Sequence, residues 1–256
     1  MATFDTLPAF VPEPGGTTTE TINGSEAVTN NSRDALRSQV FINPETGRIS
    51  GVDVESPAGF DTTTAFRGRS QDSSLIGNDN ENGIFFGGRA DNVSINTAGG
   101  DDSVNVNSFV GGTIDLGDGN DVAATGATTN ASIMAGAGDD LVTIRRTATS
   151  VDVDMGTGDD TLIFGGRVLS SSIDMGAGAD ELRFSGSVRN TTIDLGGDTD
   201  IDTVYFETRS DIASGTVITG ASEGDELIIG GTEYLYNAAE SAFISTTDPN
   251  DSITFG

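Results

Sequence analysis

The chain has 256 residues, with 12 Arg and no Lys or His set against 40 Asp and Glu, for a formal charge of −28. That excess of acid excludes recognition of a phosphate backbone, which needs cationic side chains to displace counterions; cations are the natural partners, metal ions first and basic protein surfaces second. The absence of Cys and His removes disulfides, thiolate centres and the usual zinc and iron chemistry, and no apolar run approaches the ~18–20 residues of a membrane-inserting span.

Residues 1–76 carry ten acids and five Arg and show no clear period. The opening "MATFDTLPAFVPEPGG" has neither the basic start nor the apolar run of a secretory signal. "AFVPEPGGTTTETINGS" (9–25) reads as an extended arm, and "QVFINPETGRISGVDV" (39–54) as a hairpin turning at Asn43–Gly47. Phe4, Phe10, Val11 and Phe41 need burial, so this arm is expected to anchor on another subunit, in a homo-oligomer, a lattice or a virion.

Residues 77–256 hold the other thirty acids and a repeated phrase. Its turns are "AGGDD" (98–102), "GDGND" (117–121), "GAGDD" (136–140), "GTGDD" (156–160) and "GAGAD" (176–180), then a stretched "GGDTDID" (196–202) and a degraded "GASEGDE" (220–226). A weaker first unit is legible where "NGIFFGGRADNVSIN" (82–96) mirrors "DTLIFGGRVLSSSID" (160–174). Periods near twenty residues point to stacked coils, each unable to bury its apolar face alone.

Two strand-like runs are predicted in each unit. After the turn, Val104 and Val106, Val142 and Ile144, Leu162 and Phe164, Leu182 and Phe184, and Val204 and Phe206 alternate with polar or exposure-tolerant residues. Before the next turn, Ile114, Ile133, Val153, Ile173 and Ile193 point inward with Leu116, Ala135, Met155, Met175 and Leu195. Asp115, Asp154, Asp174 and Asp194 fall on the opposite face. The expected fold is all-β: a parallel β-solenoid, β-roll or β-helix, of about seven coils of 19–20 residues over 77–230. It has an irregular N-terminal arm (1–76) and a C-terminal hairpin cap (231–256) built around "TEYLYNAAESAFIST".

At the turns, Gly permits positive φ and Asp supplies a hard oxygen. Stacking places Asp102, Asp121, Asp140, Asp160, Asp180 and Asp202 in one column. Asp101, Asn120, Asp139, Asp159 and Ala179 form a second beside it, and Asp198 and Asp200 belong to the stretched turn. Like charges piled along one edge repel at every step and call for a cation between them. Calcium, which takes six to eight oxygen ligands, suits such a set.

The phrases "DLGDGNDV", "MAGAGDDLV", "DMGTGDDTL" and "DMGAGADEL" resemble the RTX, or haemolysin-type, calcium-binding repeats, with pattern G-G-x-G-x-D-x-U-x, over about residues 98–205. The resemblance implies calcium held by turn carbonyls and motif Asp: Gly117, Gly119 and Asp121; Gly136, Gly138 and Asp140; Gly156, Gly158 and Asp160; Gly176, Gly178 and Asp180. It also implies an extracellular or cell-surface protein. The chain departs from the pattern in carrying the motif on one turn per coil and in replacing its first glycine by Leu116, Ala135, Met155, Met175 or Leu195. A single row of ions is therefore expected, and the other turn reads as variable.

Carboxylates repeated identically in every coil form a lattice rather than a catalytic pocket, so no enzyme is expected. Two roles remain: a calcium-dependent surface-layer or adhesive protein, or a virion structural protein gripping its particle by the N-terminal arm. In either, the edge with Arg89, Arg146, Arg167 and Arg189 is the expected contact surface.

Overall fold

In a computed structural model the described residues are 17–22, 25–32, 37–42, 48–51, 53–55, 61–66 and 68–255. They form a parallel β-solenoid of about eight turns. A single 3₁₀ turn, Arg209–Asp211, is the only helical element among them. Short apolar alternations become strands because each backbone edge finds the same run of the next coil in parallel register. Leu141–Ile144, Thr161–Phe164, Glu181–Phe184, Thr203–Phe206 and Glu226–Ile229 follow one another in this way. Val153, Ile173, Ile193 and Ile218 mark the parallel stack before the turn.

The two coils over 161–194 have three runs rather than the two expected. Between the longer runs lies a short one: Val168–Leu169 pairs in register with residues 148–149, and Val188–Arg189 with Val168–Leu169. Two residues are too few to show a period, which is why this run escapes a sequence pattern. The corner that follows it is also more regular than its sequence. Asp72, Asn92, Gly111, Asn130, Ser150, Ser170 and Asn190 all have φ between 48° and 56°, one per coil. The "variable" turn therefore varies in side chain while keeping one left-handed backbone position, filled by the small residues that tolerate it.

Coiling also begins earlier than residue 77. Asp61–Phe66 pairs in parallel with residues 82–86, and Arg37–Ile42 with Asp61–Phe66. Arg48–Ser50 and Asp53–Glu55 pair with Arg69–Asn78. The hairpin expected over 39–54 is thus not formed: its two halves belong to different runs of one coil, each satisfied by the next coil. Antiparallel pairing instead joins Thr17–Ile22, Ser25–Ser32 and Arg37–Ile42, so the described part of the arm is regular. The expected turn at Asn43–Gly47 and the arm residues Phe4, Phe10 and Val11 lie outside the described residues. At the other end Glu226–Ile229, Thr232–Asn237 and Ala242–Ser245 make the expected closing antiparallel strands.

All twenty inward positions named from the alternation are buried. Phe66 stacks on Phe86 at 4.5 Å between ring centroids, and Phe164, Phe184 and Phe206 stack at 5.3 and 4.9 Å. Between these stacks the column narrows to Val106, Thr125 and Ile144. There Phe109, fully buried within the strand Ser103–Asp118, brings in aromatic bulk, and the Thr125 and Thr128 hydroxyls satisfy each other at 2.7 Å.

Candidate metal centre

The turn phrase is dictated by stacking. Gly156 has φ +96°, and a Cβ there would stand 2.0 Å from the carbonyl oxygen of Gly136 one coil earlier; at Gly158 it would stand 2.2 Å from that of Gly138. Glycine lets the carbonyls of successive turns nest against the next backbone; at the same place in the turn before Asp102, Ala98 holds φ +76°. The Gly158 N–H donates to the Ala177 carbonyl at 2.9 Å, and the chain then turns inward at Asp160.

The inward residues form a directional ladder. The N–H of Asn82 donates to Asp102 Oδ1 at 2.6 Å, that of Asp102 to Asp121 at 2.6 Å, and that of Asp121 to Asp140 at 2.7 Å. Asp140 donates to Asp160 and Asp160 to Asp180, both at 2.8 Å; Asp180 donates to Asp202 at 2.9 Å, and Asp202 to Asp225 at 3.1 Å. All these side chains are buried. In five consecutive turns, Asp102, Asp121, Asp140, Asp160 and Asp180, the second carboxylate oxygen is buried with no hydrogen-bond partner.

Burial, the largest cause, pushes these carboxyls far above their ordinary range, against the lowering pull of the backbone N–H each accepts. Asp160 rises to about 8, with Asp180, Asp140 and Asp139 adding like charge. Asp102 and Asp202 rise to about 7, Asp140 and Asp180 to about 6, and Asp121 and Asp225 are also raised. A file of buried oxygens of this kind needs positive charge, as protons or as a cation.

The second expected column sits on the outer side of the turns. The N–H groups of Asn120, Asp139, Asp159 and Ala179 donate to Asp101, Asn120, Asp139 and Asp159 at 2.9–3.0 Å, so this row runs in the opposite sense and is exposed. In the stretched turn Asp198 Oδ2 accepts the N–H of Gly178 at 3.0 Å, the bond that a carbonyl accepts in the shorter turns, while Asp200 is exposed. Arg69 and Arg89 both bind Asp91; Arg146, Arg167 and Arg189 are exposed.

Two ladder residues were missed by the sequence reading of the site. Asp225, 23 residues past Asp202, closes the ladder: its Oδ2 accepts the Ser222 N–H at 2.7 Å. Asn82 opens it. Its Nδ2 is surrounded by four oxygens, the carbonyls of Asn78 (2.8 Å), Asn80 (2.5 Å) and Thr97 (3.1 Å) and Asp102 Oδ1 (3.0 Å). Counted back from the ladder residue, Asn78 and Asn80 hold the positions of Gly117 and Gly119 before Asp121. The signal was present, since aligning 82–96 with 160–174 sets Asn82 opposite Asp160.

Among the described residues no three acidic side chains gather around one point. A cation here would draw on main-chain carbonyls as well as carboxylates. The carbonyls that surround the Asn82 nitrogen and the carboxylate oxygens that lack a donor in later turns are the donor types that suit a hard, oxygen-preferring ion. The fold and site define a parallel β-solenoid with an internal file of carboxylates. No protein-family model, curated protein or solved structure matches the chain.

Proposed function

We propose that this is a non-enzymatic calcium-binding protein, a structural or adhesive module displayed on an extracellular surface, of the kind its RTX-like turns suggest. The observation that carries the reading is the run of five buried, partnerless carboxylate oxygens in successive turns. Asp102, Asp121, Asp140, Asp160 and Asp180 would hold the ions, with the carbonyls two and four residues before each. Bound calcium neutralises the file and ties each coil to its neighbour. The same groups recur in every coil instead of converging with a nucleophile or base, which favours a structural role over catalysis. Surface display is supported by the outward rows of carboxylates, Asp152, Asp154, Asp174 and Asp194, and by the exposed Arg146, Arg167 and Arg189, all open to a partner.

The test is a calcium titration of chelator-stripped protein, followed by circular dichroism and thermal midpoint, with magnesium as control. Each site filled at a hundredfold excess over its Kd adds about 2.7 kcal/mol, so the midpoint should climb steeply. A midpoint and β signal indifferent to calcium would overturn the reading. Antibody-labelled electron microscopy of the source material should mark cell surfaces; label confined to virus particles would reassign the module to a virion.

A further inference from the structure

We infer that the Asn82 side-chain amide is a built-in substitute for a cation and ends the ion row on its N-terminal side, so that the first metal-holding turn is that of Asp102. The inference rests on the calcium reading and adds to it where the row stops and what stops it.

Four oxygens lie within 2.5–3.1 Å of Asn82 Nδ2, although an amide nitrogen has only two hydrogens to give. Its surroundings are those of a small cation. The orientation is fixed by the network, because the reversed amide would set an oxygen against the same four oxygens. Asp102 gains in consequence, with Oδ1 accepting both the backbone N–H and the side-chain N–H of Asn82.

One coil later an acid takes the place of the amide, on a turn whose backbone also differs: Ala98 and Gly100 have positive φ where Asn78 and Asn80 do not, and the Gly100 N–H donates to the Asp118 carbonyl where the Asn80 N–H donates to Asn78 Oδ1. Asp102 stands where Asn82 stood, and the branch that was NH₂ is now an oxygen. That oxygen has no donor, and the same is true through Asp180. The far end closes by other means, since the Ser222 N–H supplies a donor to Asp225. The row is thus bracketed by a neutral amide on one side and a backbone cap on the other.

If the amide is what stands in for the cation, exchanging amide and carboxylate at this position should move the end of the row. Bound calcium per chain is counted by native mass spectrometry for wild type, Asn82→Asp and Asp102→Asn, with thermal midpoints in EGTA and in calcium. Asn82→Asp is expected to hold one more ion, with a lower midpoint in EGTA that calcium restores; folding only in calcium supports the inference equally. Asp102→Asn is expected to hold one ion fewer and to melt in EGTA no lower than wild type. Wild-type counts in both variants overturn the inference and leave the calcium reading standing. Absence of calcium from wild type overturns both. Should Asn82→Asp fail to fold in either condition, the count for Asp102→Asn decides alone.

Discussion

Asp160 gives one carboxylate oxygen to the backbone N–H of Asp140, 2.8 Å away and 20 residues earlier, and buries the other without a donor. The first bond holds the coils in phase. The second oxygen makes the ladder sensitive to whatever supplies positive charge, and its consequences can be measured.

In EGTA, acid should stabilise the protein. Burial raises Asp102, Asp140, Asp160, Asp180 and Asp202 to about 6 to 8, above the ordinary 3.8, and raises Asp121 and Asp225 as well. Their contribution is therefore fully present below about pH 4 and is lost as pH rises through that window. A net loss of about 3 kcal/mol between pH 5 and pH 8 would lower the midpoint by about 6–12 °C at this chain length. Calcium should abolish or reverse the slope. Thermal scans at both pH values, with and without the ion, check this.

Gly156→Ala should destabilise the protein by about 3 kcal/mol or more, combining a strained φ with a backbone clash. The clash is with the Gly136 carbonyl and cannot be relieved by a side-chain rotation. Thr157→Ala, at the exposed neighbour, should stay within about 0.5 kcal/mol of wild type. Urea denaturation in calcium compares the two.

Removing the middle ring of the aromatic stack, Phe184→Ala, should cost about 3–5 kcal/mol. Its ring lies between those of Phe164 and Phe206. The same change at Phe85, which is 46% exposed, should cost about 1 kcal/mol or less. Denaturant midpoints of the two variants give the contrast.

At the left-handed corner, Ser150→Gly should be close to neutral, because relief of about 1–2 kcal/mol of steric cost is offset by glycine's greater loss of freedom. Ser150→Val should lose about 2 kcal/mol, since a β-branched side chain tolerates φ +52° poorly. A Val variant as stable as the Gly variant would contradict the corner's assigned role.

Much of this was legible in the sequence because the period is strict. Asp102 to Asp180 recur at 19 or 20 residues, and Ile114 or Leu162 alternate with polar neighbours, so the column and the core faces follow from spacing alone. Val168–Leu169 was hidden by its brevity. The corner at Ser150 was hidden because Asp, Asn, Ser and Gly look unrelated while sharing tolerance of one backbone region. Asn82 was passed over because its turn, "GNDNEN" (77–82), carries Asn78 and Asn80 in place of the glycines of the phrase, and Asp225 because its turn is degraded. The early coil around Arg37–Ile42 carries no turn phrase, and only its parallel partners reveal it.

Ladder residues follow one another at 20, 19, 19, 20, 20, 22 and 23 positions, yet every rung makes the same bond. Surplus residues are discarded locally, as in the register shift between Phe86 and Arg89 or the stretched loop before Asp202. The molecule therefore measures height in rungs rather than in residues. Deleting or duplicating a whole coil would change its reach by about 4.8 Å and leave the phase of every remaining rung untouched, so length in this architecture can be altered in fixed steps.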